Sequence, residues 1–145
     1  GFRMMFILDT NVLSEIMKEV PHPAVVDWLS ACPGDAVFTT AICHTEILYG
    51  VRRLPDGKKR HRLTAAARDM FTREFAGRVF PFDEAAASVY ADLRLARARA
   101  GRPLAVEDGM IAAIARVVGA SVVTRDIDGF AGCGVSVINP WEQAF

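Results

Sequence analysis

The sequence has no excess of charge of either sign. Lys and Arg together number 17, and so do Asp and Glu, which gives a formal net charge of zero. This balance excludes a protein that coats nucleic acid through a strongly basic surface. Any contact with nucleic acid therefore has to come from a local basic patch or through a bound metal ion.

Cysteines and long apolar runs are also scarce. The three cysteines are odd in number and contain no Cys-x-x-Cys spacing, so we expect reduced thiols in a cytoplasmic protein. No apolar run reaches the ~18 residues of a membrane helix, and the apolar run at 5–8 is too short for a signal peptide. We interpret residues 1–3 as a cloning remnant, with natural translation beginning at Met4 or Met5.

The remaining composition predicts one domain over residues 4–145. Hydrophobic residues make up 52% of the 145 residues, enough for a single core of this size. Apolar segments at 5–8, 36–39, 79–80, 121–123 and 135–138 predict strands. Helical patterns cover 12–17, 24–30, 41–53, 58–76, 83–100 and 106–118. Short apolar strands separated by helices indicate a parallel α/β sheet covered on both faces.

Four acidic residues stand where a structural domain has little need of them. Asp9 follows the first strand, and Asp126 follows the fourth after a Thr-Arg pair. Asp108 lies in the first turn of an apolar helix, and Glu46 lies on a partly apolar helix face. Because the carboxyl ends of parallel strands share one edge, we expect these acids to converge there. Crowded carboxylates repel one another, and a divalent cation such as Mg²⁺ or Mn²⁺ relieves that repulsion.

Each acid also has a purely structural interpretation. Asp9 or Thr10 could cap the next helix, and Glu46 could be a solvated helix residue. Asp108 could complement the helix dipole, and Asp126 could be a turn aspartate. Only the combination of the four favours a metal site.

Four segments in order resemble the motifs of PIN domains. These are ILDTNVL at 7–13, TEILYG at 45–50, EDGMIAA at 107–113 and TRD at 124–126. The closing VINPW at 137–141 is similar to VapC toxins of the FitB-like plasmid-stability branch. The resemblance spans residues 5–141.

The resemblance implies a three-layer α/β/α fold and a Mg²⁺- or Mn²⁺-dependent endoribonuclease acting as a toxin. It also implies a homodimer, an RNA substrate and neutralisation by a small antitoxin, for which a ribbon-helix-helix protein is one candidate. The carried-over catalytic residues are Asp9, Glu46, Asp108 and Asp126.

The sequence departs from many relatives at the fourth motif. Those relatives have asparagine where Asp126 stands and aspartate where Gly129 stands, so Asp128 is a rival for the fourth role. Glu107, which precedes Asp108, is interpreted as peripheral.

In the predicted mechanism, Asp9, Asp108 and Asp126 bind the ion, and Glu46 orients the water or a second ion. Hydrogen bonds from Thr10, Asn11 and Thr124 hold the carboxylates or a phosphate. Histidine catalysis is not expected, because His44 points to another side of the helix from Glu46.

Basic residues form two clusters, which are either solvated helix faces or an RNA track with Arg125 at its lip. They are Arg52, Arg53, Lys58, Lys59, Arg60 and Arg62 in the first, and Arg94, Arg97, Arg99 and Arg102 in the second.

Other functions fit the sequence less well. A haloacid-dehalogenase-type phosphatase needs a second aspartate two residues after Asp9, where Asn11 stands. A receiver domain needs adjacent acids after the first strand, and a nucleotide switch needs a Gly-rich loop. A non-catalytic interaction domain on the same fold is the main alternative outside the enzymes.

Overall fold

The computed structural model of the chain describes residues 4–142. The predicted remnant at residues 1–3 and the last three residues of the predicted domain lie outside this range. Within it, the three cysteines are free thiols, and no helix is both long and apolar enough to cross a membrane.

Five parallel strands form one sheet in the order β3-β2-β1-β4-β5. The strands are β1 (Phe6–Leu8), β2 (Val37–Thr40), β3 (Val79–Phe80), β4 (Ser121–Val123) and β5 (Val137–Ile138). The central strand β1 pairs Ile7 with Phe38 of β2 and with Val122 of β4. All carboxyl ends therefore lie at one edge, as the sequence predicts.

Helices cover this sheet in a three-layer α/β/α arrangement. They are α1 (Thr10–Ile16), α2 (Pro23–Ala31), α3 (Ala41–Arg52), α4 (Lys58–Asp69), α5 (Glu84–Arg99) and α6 (Val106–Val118). Helix α6 is the most buried, since the run 111–115 is closed to solvent. The predicted fold class is confirmed.

Side-chain caps fix where several helices begin. Asp9 caps α1, the Thr40 hydroxyl accepts the Cys43 amide of α3, and Asp83 accepts the Ala86 amide of α5. Thr40, the last residue of β2, is thus the cap of α3. Thr39 instead donates its hydroxyl to the Leu8 carbonyl. The helices that carry the first and second motifs, α1 and α3, therefore begin directly after the central strand β1 and its neighbour β2.

The helix predicted over 58–76 divides in two. After α4, residues Met70–Glu74 form a π-helical turn in which the Phe75 amide donates to the Met70 carbonyl. The wider turn places Met70, Phe71 and Phe75 in the core together, because it shifts the phase of the helix by a fraction of a turn.

Candidate active site

Asp9 lies at the carboxyl end of β1 and is almost fully buried, with 6% of its surface exposed. One carboxylate oxygen accepts the Thr10 amide at 2.7 Å, and the other accepts the Thr124 hydroxyl at 2.9 Å. Burial raises the pKa of Asp9, repulsion from Asp126 adds to the rise, and the two hydrogen bonds oppose it. The side chain is thus held in one position by α1 and by the end of β4.

Thr124 and Asn11 connect the ends of β1 and β4. The Thr124 hydroxyl accepts the Asn11 side-chain amide at 3.1 Å and the Asp126 backbone amide at 3.0 Å. Asn11 Oδ1 in turn accepts the Arg125 backbone amide at 3.1 Å. The loop that carries Asp126 is therefore tied to the loop that carries Asp9.

Asp108 and Asp126 meet across Gly129. A methyl group built on Gly129 would lie 2.8 Å from Asp108 Oδ2 and 2.7 Å from Asp126 Oδ2. The Gly129 amide also donates to Asp126 Oδ1 at 3.2 Å. The two carboxylates can lie this close to the backbone because Gly129 has no side chain.

Asp108 is the acid most affected by its neighbours. Burial is the largest effect and raises its pKa to about 6, with repulsion from Asp9, Asp126, Glu46 and Glu107 adding to the rise. The interaction with all four other acids means that the cluster behaves electrostatically as one unit.

Glu46 lies half-buried on α3 and faces the same cluster. Burial raises its pKa, and Glu107 and Asp9 raise it further. The nearby Thr10 hydroxyl opposes the rise in the pKa of Glu46. The Thr10 hydroxyl oxygen is buried, and no group among residues 4–142 forms a hydrogen bond of normal geometry with it. A buried hydroxyl without a partner is uncommon and marks a polar position that a ligand can satisfy.

The donor set fits a hard divalent cation in its chemistry. Carboxylate and hydroxyl oxygens are the ligands that Mg²⁺ and Mn²⁺ prefer. The position that a side chain on Gly129 would fill, here called the Gly129 cradle, leaves space for the carboxylates of Asp108 and Asp126. Among the described residues, no three His, Cys, Asp or Glu side chains already form a closed ligand group. The repulsion that raises the pKa of Asp9, Glu46 and Asp108 opposes a closer approach of the acids.

A groove leads away from the cluster between α1, α3 and α4. It has a volume of about 330 Å³ and begins at Thr10 and Glu46. Its far end is rimmed by Lys18, Lys59 and Arg62. Its floor is apolar and consists of Met17, Ile47, Val51, Leu54 and Leu63.

The family model of the PIN domain matches residues 6–132, most of the chain. The chain belongs to the PIN domain family. Toxin FitB of Neisseria gonorrhoeae is 39% identical over 139 residues, which cover 96% of this chain and 100% of FitB.

Two further relatives agree with this assignment to the PIN domain family. VapC ribonuclease Y4jK of Sinorhizobium fredii is 39% identical over 140 residues, covering 97% of this chain and 100% of the relative. A solved structure of FitAB bound to the IR36 DNA fragment matches with a TM-score of 0.89 at 38% identity. That match covers 97% of this chain and 99% of the other.

The structure of this PIN domain places the two rivals for the fourth acid differently. Asp126 raises the pKa of both Asp9 and Asp108 and contacts the Gly129 cradle. Asp126 and Asp128 are both exposed, and Asp128 begins a short 3₁₀ turn, Asp128–Phe130. It takes part in none of these interactions. Glu107 is exposed beside Asp108, and it raises the pKa of both Asp108 and Glu46.

The histidines lie away from the acids in roles unrelated to them. His44 stacks on Phe71 with ring centroids 3.9 Å apart. His22 caps α2 through its ring nitrogen, and His61 pairs with Asp56 on the surface at 3.1 Å.

Both basic clusters contain residues that the fold already uses. Arg62 donates to the Met17 carbonyl and pairs with Glu19 at 3.4 Å. Arg97 donates to the carbonyls of Arg102 and Ala131. These two side chains are therefore only partly available to an RNA backbone.

Two residues of the site have no clear signal in the sequence patterns. The lack of a side chain at Gly129 makes room for the carboxylates of Asp108 and Asp126. The Cys43 sulfur lies 4.0 Å from Asp9 Oδ1, and burial raises the pKa of the Cys43 thiol to about 11. Its place three residues after the capping Thr40 is the sequence signal that puts it under Asp9.

Proposed function

We propose that this protein is a divalent-metal-dependent endoribonuclease and the toxin of a toxin–antitoxin pair. The observation that carries the proposal is the convergence of Asp9, Asp108, Asp126 and Glu46 at the carboxyl edge of a PIN-domain sheet. The raised pKa of Asp108 reports this convergence, since all three other acids contribute to it. Two relatives of nearly full-length coverage are named as a toxin and as a ribonuclease, which supports both parts.

Asp9, Asp108 and Asp126 would hold Mg²⁺ or Mn²⁺, and the Thr10 hydroxyl, which has no hydrogen-bond partner among residues 4–142, lies near Glu46. When bound, such an ion polarises a phosphoryl oxygen and lowers the pKa of water. Asp9 is fixed for this role by Thr10 and Thr124. Thr124 and Asn11 also hold the loop of Asp126 in register with Asp9.

Glu46 would orient the attacking water. Its raised pKa makes its carboxylate a better proton acceptor than an exposed glutamate. It lies on α3 at the mouth of the groove, so an RNA strand crossing the sheet edge passes between Glu46 and the β4 loop. The water and the phosphodiester would then be held close together, which favours the reaction.

The antitoxin would insert a peptide segment into the groove between α1, α3 and α4. The apolar floor of the groove suits aliphatic side chains, and its acidic mouth at Glu46 suits a basic residue. A homodimer, implied by the resemblance to VapC toxins, is part of the same proposal. Co-expression with a candidate ribbon-helix-helix antitoxin and measurement of the mass of the purified complex test both.

A cleavage assay tests the enzymatic proposal. Purified protein should cut a mixed RNA pool with Mg²⁺ or Mn²⁺ and stop when a chelator is added. Asp9→Asn and Asp108→Asn should lose cleavage, whereas Asp27→Asn on exposed α2 should retain it. If both site variants cut as fast as wild type, the assignment of the acids is wrong. A wild-type protein without cleavage favours the non-catalytic interaction domain.

Growth of the bacterial host tests the toxin role separately. Expression without the partner should slow growth, and expression of Asp108→Asn should not. Normal growth at high levels of folded wild-type protein contradicts a toxin role but leaves the cleavage chemistry intact.

A further inference from the structure

Arg125 and Trp141 form a pair beside the acidic cluster that the proposed mechanism does not use. The Arg125 guanidinium lies over the Trp141 ring, 4.8 Å from its centroid. A guanidinium stacked on an aromatic ring keeps the N–H groups at its edge available for hydrogen bonds. The pair therefore presents a cation in a defined orientation.

The backbone on both sides of the pair is fixed. Asn11 accepts the Arg125 amide, and the Thr124 amide donates to the Ile138 carbonyl at 2.9 Å. On the other side, Asn139 is buried and accepts the Trp141 amide at 3.0 Å. The ends of β4 and β5 thus hold the arginine and the tryptophan against each other.

Arg125 is exposed and has no carboxylate partner among residues 4–142. In this respect it differs from Arg62 and Arg97, whose side chains donate hydrogen bonds to backbone carbonyls of the protein. The Arg125 side chain is already held over the Trp141 ring and has no ion pair to break. It therefore loses little further conformational entropy when it binds an anion.

The position of the pair indicates which anion. Arg125 directly precedes Asp126 and follows Thr124, whose hydroxyl contacts Asp9. A strand of RNA approaching four carboxylates is repelled by them, and a cation at their edge offsets the repulsion for one phosphate. We propose that Arg125, held on Trp141, binds a backbone phosphate of the RNA next to the phosphodiester that is cut. This inference rests on the proposed ribonuclease function.

Binding of RNA in the presence of a chelator tests the inference without cleavage. The probe is a short fluorescein-labelled single-stranded RNA of mixed sequence, and its anisotropy is measured over a range of KCl concentrations. Arg125→Gln should weaken binding roughly tenfold. It should also reduce the slope of log K against log salt by about 0.7, the contribution of one phosphate contact to a single strand.

Three variants separate this role from general charge and from packing. Arg73→Gln makes the same change in charge in the π-helical turn before β3, at the opposite edge of the sheet, and should bind like wild type. Arg125→Lys keeps the charge without the planar group and should give intermediate affinity. Trp141→Leu should weaken binding less than Arg125→Gln, with thermal unfolding confirming that the variant is folded.

The outcomes distinguish this inference from the proposed function. If wild type cuts RNA but Arg125→Gln binds with unchanged affinity and salt slope, the inference is wrong and the function stands. Equal losses in Arg125→Gln and Arg73→Gln also overturn it, because they indicate a diffuse effect of charge. If wild type neither cuts nor binds RNA, the proposed function fails and the inference fails with it.

Discussion

The Thr124 hydroxyl donates to Asp9 across 2.9 Å and links the carboxyl ends of β4 and β1. The same oxygen accepts from the Asn11 side chain and from the Asp126 amide. One fully buried hydroxyl therefore positions two of the acids proposed to hold the metal ion. The position of Asp9 depends on a residue more than a hundred positions away in the chain.

Thr124→Val removes this oxygen at nearly constant volume. Because three polar groups lose a partner, we expect the free energy of unfolding to fall by about 1–3 kcal/mol. Affinity for Mn²⁺ should fall as well, since Asp9 is no longer held. Urea denaturation and calorimetric titration measure the two effects.

Thr45→Val is the matched control for that variant. Its hydroxyl is exposed and donates only to the Ala41 carbonyl within α3, so its stability should stay within about 0.5 kcal/mol of wild type. Equal losses in the two variants would contradict the role assigned to Thr124.

The pKa of Asp108 predicts a dependence of stability on pH. It is raised from 3.8 to about 6 in the folded protein, so the folded state holds this proton after the unfolded state has lost it. Stability of the protein in a chelator should therefore fall as pH rises through this window. Asp108→Asn removes the effect and should be the more stable protein at pH 7, by on the order of 1 kcal/mol after allowance for solvent screening at a half-exposed site.

Thermal unfolding in chelator at pH 4 and pH 7 measures this difference between wild type and Asp108→Asn. The gap should open with rising pH and close for wild type when Mg²⁺ is added. A gap of constant size across the pH range would show that the substitution acts by some means other than ionisation.

Gly129→Ala tests the cradle between two carboxylates. The new methyl group would lie within 3 Å of Asp108 and Asp126, and both are ends of side chains that can rotate away. We therefore expect a small change in stability but a marked loss of cleavage and of Mn²⁺ affinity. Gly34→Ala adds the same methyl group where no atom lies within 4 Å and should leave both unchanged.

The sequence predicts the placement of the strand-end acids Asp9 and Asp126 well, because parallel strands bring their carboxyl ends to one edge of the sheet for any conformation of the loops. It also predicts the start of α5 from Asp83 and places the start of α3 at Thr39 or Thr40, of which the structure has Thr40 as the cap. It cannot predict the Gly129 cradle or the stacking of Arg125 on Trp141. Those contacts depend on how two loops from different strands pack, and no local pattern encodes that distance.

The choice between Asp126 and Asp128 illustrates the same limit. The two lie two residues apart, so spacing alone admits either. The structure favours Asp126, which raises the pKa of Asp9 and Asp108 and lies against Gly129. Asp126→Asn should lower Mn²⁺ affinity at least tenfold, whereas Asp128→Asn should leave it nearly unchanged. Calorimetric titration of both variants decides, and the reverse order of affinities would assign the role to Asp128.

Glu46→Gln should separate the proposed handling of water from the binding of metal. The amide keeps the size of the side chain but cannot accept a proton, so kcat should fall by about 10²-fold or more. Mn²⁺ affinity should change little, because Asp9, Asp108 and Asp126 remain. Glu74→Gln, at an exposed position of the π-helical turn, should cut RNA at the wild-type rate. If Glu46→Gln instead loses Mn²⁺ binding along with activity, Glu46 is a ligand of the ion, and the water must be oriented by another group.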